Sequence, residues 1–555
     1  MKTPVIAIGL DAADPVLLEN WMSQGHLQNL KQLRKQGAYG RLTNLEHYKA
    51  ETPWTTFLTG CLPSQTGYWA PIKFHEGTYE ATLVEAYNFK EYSPFYALGD
   101  DYRVAVFDIP QSSLSEQVNG SQVLAWGAHS PQTPTHSLPA QLLSDLISKH
   151  GEHPALHKDH GDWWDLDYLQ HLKQALETGI EQRSAICRDF LRQEQWDLFL
   201  TIFGETHSAG HDFWFLSQPE HPLYHHHKLN GFSSDPMLEV FESVDRAVGE
   251  IIAEAPKNAY VIVFAVHGSG SNTTDVTSML FLPEFLYRFS FPGKSMLPIG
   301  KLGVPPLAPI VTPKTMNWQA EVWRQIYHPN PLITWLRRWG PEKLNQKLEP
   351  WLPRLAKLTG ANYSILSRLR RPGGGMSWQP PMWYQPLWSQ MKAFALPSFS
   401  EGYVRINLQG REPNGIVARA EYDALCDELT QQIYSLKNAR TGTPMVKKVI
   451  RTRLSGSECD PKLPDADLVV IWEDSPADVI ESPQFGRIGP VPYRRTGSHR
   501  ARGFLSAIGP GIEPGSHLPT APAVDLTPTI LQLMDAPIPK YFDGKPLLKK
   551  AILAR

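Results

Sequence analysis

The chain has 555 residues, 42% of them apolar and 20% charged, an ordinary globular balance that can bury a sizeable core. A net charge of −3 with no basic excess argues against a nucleic-acid polymer as partner, because phosphate backbones demand clustered Lys and Arg. Four cysteines (Cys61, Cys187, Cys426, Cys459) lie far apart with no CxxC. That excludes a disulfide framework and a cysteine-based zinc site, and it suits a reducing, cytoplasmic location.

The N-terminal stretch "MKTPVIAIGLDAADP" opens on an apolar run at 5–10 that stops at Asp11. It is too short for a signal peptide. No later stretch approaches the roughly 18 uninterrupted apolar residues of a membrane span. "DPVLLENWMSQGHLQNLKQLRKQG" then reads as a helix closed by Gly37. In "KAETPWTTFLTG", Thr52 precedes Pro53, which predicts a helix beginning at the proline with Thr52 as its N-cap. Further apolar runs follow: "RVAVFDI" at 103–109, "QVLAWGA" at 122–128, "WDLFLTIF" at 196–203 and "AYVIVFAV" at 259–266. Several lack period-2 alternation, the pattern of strands covered on both faces. Residues 169–195 read as a long helix between two of them. Strand then helix, repeated, predicts an α/β fold with a mostly parallel sheet.

Residues 293–392 break the rhythm. The segment is rich in proline and carries Trp318, Trp323, Trp335, Trp339, Trp351, Trp378, Trp383 and Trp388. It reads as a mostly helical insertion, a cap, dividing a core of 1–292 and 393–555. So much aromatic surface asks for a partner, and the pocket is the expected one. Beyond it, "SEGYVRINLQGREPNGIV" reads as a strand and turn, and "DLVVIWE" at 467–473 as another buried strand. The histidine run "YHHHK" at 224–228 reads first as a solvated loop and second as a metal tract.

In open α/β sheets, ligands bind beyond the carboxyl ends of the strands. The first strand ends in Asp11. "WDLFLTIF" is followed by "GETHSAGHDFW", with Glu205, His207 and His211. "AYVIVFAV" is followed by His267. Each alone is an ordinary strand-end residue. Together they deliver carboxylates and imidazoles to one edge, a donor set that suits Zn²⁺ or Mn²⁺. Thr52 at a helix start could serve as a nucleophile, since metal coordination activates a hydroxyl at neutral pH. "YRRTGSHRARGFLSAIGPGI" adds His499, with Arg495 and Arg500 available for anionic oxygens.

The order GxDxA, Thr–Pro–Trp…"FLTG", "ETHSAGHDFW", "VHG" and "GSHRARGFLSAIGPGI" resembles the alkaline phosphatase superfamily in its type I phosphodiesterase / nucleotide pyrophosphatase branch. The resemblance covers roughly 1–290 and 394–550. It implies an α/β/α sandwich and a metal-dependent hydrolase of phosphodiester or related phosphate esters, acting on small molecules through a threonine. It carries Asp11, His211, His267 and His499 over as metal ligands and Thr52 as nucleophile and ligand. Two aspartates of the family pattern are replaced here, one by His207 and one by Val266. Glu205 could stand in for the first if the chain stays extended, because residues two apart then face the same side. The family site holds two metals, so this chain is expected to hold one or two. The rival expectations are a sulfate- or phosphonate-ester hydrolase of the same fold, and a binding protein that kept the pocket and lost catalysis.

Overall fold

The computed structural model describes residues 2–84, 86–127, 133–159, 161–227, 231–297, 299–310, 376, 378–493 and 495–548. Residues 311–375, most of the expected cap, lie outside them, as does Lys228 of the histidine run. The chain forms two compact units. One comprises the chain up to Pro71, Val84–Asn272 and everything from Arg495 on; the other comprises Ile72–Leu83 and Thr273–Arg494.

The first unit is built on a ten-stranded sheet. At its centre Tyr260–Ala265, Val5–Leu10, Leu198–Phe203, Gly99–Phe107 and Val118–Leu124 run parallel in that spatial order. These are the apolar runs that lack alternation. Arg502–Ile508 pairs antiparallel with Tyr260–Ala265 and then with Ala38–Thr43. On one face Leu198, Leu200, Ile202 and Phe264 pack with Phe57, Leu526 and Ile530. The opposite parity faces the helix Leu166–Gln193, where Phe190 meets Phe199 and Phe107. A sheet clad on both faces explains why its strands are apolar throughout.

Two elements differ from the sequence expectation. The single helix ending at Gly37 is two, Pro15–Gln24 and Gln28–Gln36. The break falls at Gly25, whose φ of 99° is the left-handed turn that closes the first helix, while Gly37 is extended. "DLVVIWE" supplies Leu468–Trp472, a strand of the second unit rather than of the large sheet. There it lies between Gly402–Ile406 and Val446–Arg451 in an antiparallel four-stranded sheet. A short apolar run reports burial on both faces, not which sheet buries it. The end of the tryptophan-rich segment, Pro380–Gln390, is a 3₁₀ helix of the same unit. Its Trp388 stacks on Phe394 with ring centroids 4.5 Å apart.

Candidate active site

The parallel register puts three strand ends side by side. Leu10 pairs with Phe203 and Gly9 with Phe264, so Asp11, the turn at Gly204 and the Val266–His267 step leave the sheet together. The backbone N–H of Asp11 donates to Phe203 O at 3.1 Å, and the Thr206 hydroxyl donates to Asp11 O at 2.6 Å. The chain becomes helical immediately, over Glu205–Asp212. His207 and His211 are therefore four apart on one helical face. The fourth histidine arrives on a short two-stranded antiparallel ribbon, where His499 in Gly497–Arg500 pairs with Ser269 in Gly268–Ser271.

The result is a cluster of buried imidazoles around one carboxylate. The His499 ring centroid lies 4.9 Å from that of His207, 5.0 Å from His211 and 4.7 Å from His267. Asp11 Oδ2 meets His207 Nδ1 at 2.9 Å, and Asp11 Oδ1 meets His267 Nε2 at 3.2 Å. Burial alone pushes the Asp11 carboxyl up, but His207 and His267 hold it below the usual carboxylate range. Burial, reinforced by the three other imidazoles and by the Arg495 charge, holds His499 well below its ordinary value, so it is neutral.

The tautomers follow from the partners. Gly497 O can only accept, so His211 Nδ1, 2.7 Å away, carries the proton and its Nε2 carries a lone pair. His207 Nδ1 donates to Asp11 by the same logic. The two Nε2 atoms then face each other at 2.7 Å. Neutral imidazoles do not hold two lone pairs at that distance without a proton or a cation between them. The ligand atoms of His207, His211 and His499 all lie within 4.8 Å of one another. Bonds of about 2.0–2.1 Å to one tetrahedral ion put nitrogens about 3.3 Å apart, inside that range. The donor set therefore fits a divalent metal. Gly497 makes the approach possible, since a Cβ there would stand 1.8 Å from Gly210 O.

Not every expected residue faces this cluster. Glu205 begins the helix rather than extending the strand, so it does not share a side with His207. Its carboxylate accepts from Arg183 Nε at 2.9 and 3.1 Å and meets His153 Nε2 at 3.0 Å. Arg183 Nη2 also donates to Asp108 at 2.6 Å, closing a fully buried ionic cluster. Thr52 is fully buried beside the start of helix Pro53–Thr59 but makes no capping bond; its hydroxyl donates to Tyr48 O at 3.1 Å. Arg500 donates to the carbonyls of Ser271 and His499, bracing the two-stranded ribbon. Arg495 lies close enough to His499 and Asp212 for its charge to disfavour proton uptake by both.

Several residues of the site carried no motif signal. Trp54 Nε1 donates to Asp11 Oδ1 at 3.2 Å. Asp212 accepts from Gly161 N and from the Tyr168 hydroxyl, each at 3.0 Å, and burial with Asp159 nearby pushes its carboxyl up to about 7. Asp212 directly follows His211, the one hint of it in the sequence.

Residues 5–288 match the type I phosphodiesterase / nucleotide pyrophosphatase family. The chain belongs to that family. Type I phosphodiesterases and nucleotide pyrophosphatases are hydrolases. Phosphonoacetate hydrolase from Sinorhizobium meliloti 1021, in complex with phosphonoformate, is similar over 96% of each chain at 11% identity, with a TM-score of 0.45. Murine ectonucleotide pyrophosphatase / phosphodiesterase 5 is similar over 97% of this chain and 96% of its own, at 11% identity and a TM-score of 0.45. A comparison with curated proteins gave no match. No helix among the described residues is long and apolar enough to cross a membrane.

Proposed function

We propose that this phosphodiesterase-family chain hydrolyses small phosphodiesters or related phosphate esters at the histidine cluster, in a divalent-metal-dependent reaction, with Thr52 supplying the attacking oxygen. The observation that carries the reading is the convergence of Asp11, His207, His211, His267 and His499 beyond the carboxyl ends of three adjacent parallel strands. Three neutral imidazoles suit zinc first and manganese second. A bound cation supplies positive charge to phosphoryl oxygens. His207 is held to its ligating tautomer by Asp11, and His211 by Gly497 O. Arg495 adds fixed positive charge beside the cluster, suited to an anionic ester. Attack by Thr52 Oγ1 forms a phosphorus–oxygen bond, breaks the ester bond and expels the alcohol. A water molecule then cleaves the phosphothreonine ester, which restores the hydroxyl and releases a phosphate monoester from a diester substrate.

One observation favours a second reading. The Thr52 hydroxyl is fully buried and committed to Tyr48 O, which suits a pocket that binds an anionic ester without cleaving it. Single substitutions separate the two. Thr52→Ala is expected to lower turnover of an aryl phosphodiester by orders of magnitude, while Thr52→Ser keeps part of it. Turnover that survives Thr52→Ala but vanishes in Thr55→Ala or Thr56→Ala would move the nucleophile. Wild-type protein that binds phosphate esters, and turns over neither these nor sulfate or phosphonate esters with any divalent metal, would establish the binding protein.

A further inference from the structure

We infer that this chain holds a single metal ion, on His207, His211 and His499, and that the second metal position implied by its family is closed by Trp54. The inference rests on the metal-dependent reading above and gives Asp11 a different task. Asp11 is not a ligand; it is the positioning residue that orients His207.

Three groups would have to build a second position: Asp11, Thr52 and His267. Asp11 already faces three ring nitrogens. Its Oδ2 accepts from His207 Nδ1 at 2.9 Å, and its Oδ1 accepts from Trp54 Nε1 at 3.2 Å and faces His267 Nε2 at 3.2 Å. A carboxylate has about four lone-pair directions, so these three contacts leave a cation at most one of them unless an N–H group is displaced. Thr52 spends its proton on Tyr48 O at 3.1 Å. Val266, where the family pattern has a carboxylate, offers no side-chain donor and is packed into the core of the sheet. His267 Nδ1 is buried and without a hydrogen-bond partner. With no carboxylate at 266 and Asp11 shared among three ring nitrogens, this side is poorer in ligands than the three or four protein donors that a zinc-type ion takes.

Trp54 is what fills the space. Its indole is buried, edge-on to Phe57 at 6.0 Å and to His267 at 6.3 Å between ring centroids. Admitting a second cation requires moving a packed aromatic ring out of the core and leaving Asp11 without its indole donor. The remaining position has the opposite character. His207 and His211 present opposed Nε2 lone pairs, and His499 keeps Nδ1 buried without a hydrogen-bond partner. Asp11 on His207 and Gly497 O on His211 are the outer acceptors that fix ligating imidazoles. Replacing a ligand carboxylate by His207 also changes the charge. Three neutral imidazoles leave the cation's charge uncompensated within its own shell, and Asp11 supplies the nearest anion through His207.

The test is metal stoichiometry on the full-length chain, loaded with Zn²⁺ or Co²⁺ and freed of excess, with ester turnover measured in parallel. One equivalent per chain is expected, with the absorption of tetrahedral Co²⁺. That equivalent is lost in His211→Ala and in His499→Ala, two variants so that one folding failure does not decide the matter. In Asp11→Asn one equivalent still binds and keeps the Co²⁺ spectrum, with affinity lower by about 10–100-fold, the size expected of an outer-shell partner. In His267→Gln one equivalent remains. Two equivalents in wild type would overturn the inference, as would metal retained in His211→Ala and lost in Asp11→Asn. One equivalent without turnover of any ester would sustain the inference while refuting the proposed hydrolysis. Two equivalents with turnover would do the reverse.

Discussion

Glu205→Gln separates scaffold from site in one substitution. Glu205 and Arg183 are both fully buried, joined by two contacts of 2.9 and 3.1 Å, and His153 adds a third at 3.0 Å. Burial pushes the Glu205 carboxyl up, yet Arg183 and His153 hold it below its ordinary range, so it is charged at neutral pH. Breaking a buried pair by removing one charge costs about 3–5 kcal/mol. Arg183 keeps Asp108 at 2.6 Å, and the glutamine oxygen keeps one acceptor, so the lower end, about 3 kcal/mol, is expected. Arg183→Met strands two buried carboxylates and should cost more. The assay is urea unfolding at neutral pH, with bound metal measured on the same samples. Lower stability with unchanged metal content is the expected outcome for Glu205→Gln. Unchanged stability with loss of metal would refute the reasoning and return Glu205 to the ligand set.

Gly497→Ala places a methyl 1.8 Å from Gly210 O, so the Gly497–Arg500 strand must shift; urea unfolding should show a loss of about 1–3 kcal/mol, and metal affinity should fall with it. Phe57→Ala empties a site packed against Phe95 and Phe264, with centroids 5.2 and 5.0 Å away; the expected loss is about 3–5 kcal/mol, and a loss below about 1 would contradict the packing. Burial pushes the His221 imidazole down from 6.5 to about 4. The folded state therefore takes up its proton later than the unfolded state, and this contribution to stability is present above about pH 6.5 and lost as pH falls toward 4. Comparing wild type with His221→Gln across that window should reveal a difference of about 3 kcal/mol; parallel pH profiles would refute the assignment.

The central sheet was legible because strands clad on both faces leave unbroken apolar runs, and parallel order then fixes which residues share an edge. The convergence of Asp11, His211 and His267 was legible for the same reason, each following such a run, whereas His499 precedes one. The remainder depended on local geometry that spacing does not report. Whether residue 205 continues a strand or starts a helix decides whether Glu205 joins His207, and no pattern in "FGETHS" distinguishes the two. Thr52 has an N-cap's neighbour in Pro53 but not its hydrogen bond, because Tyr48 O lies within reach of the hydroxyl. That the Trp54 indole N–H points at Asp11 is a product of the fold. Arg183, Asp108 and His153 are far apart in sequence and meet only through burial.

The central claim is that the imidazole cluster cleaves phosphate-type esters with the help of a metal. The direct measurement is turnover of an aryl phosphodiester by wild-type protein after chelation, and again after adding back Zn²⁺ or Mn²⁺, with His211→Ala alongside. The account predicts turnover that disappears on chelation, returns with metal and stays absent in His211→Ala. Turnover that persists in chelated protein, or in His211→Ala, would contradict it.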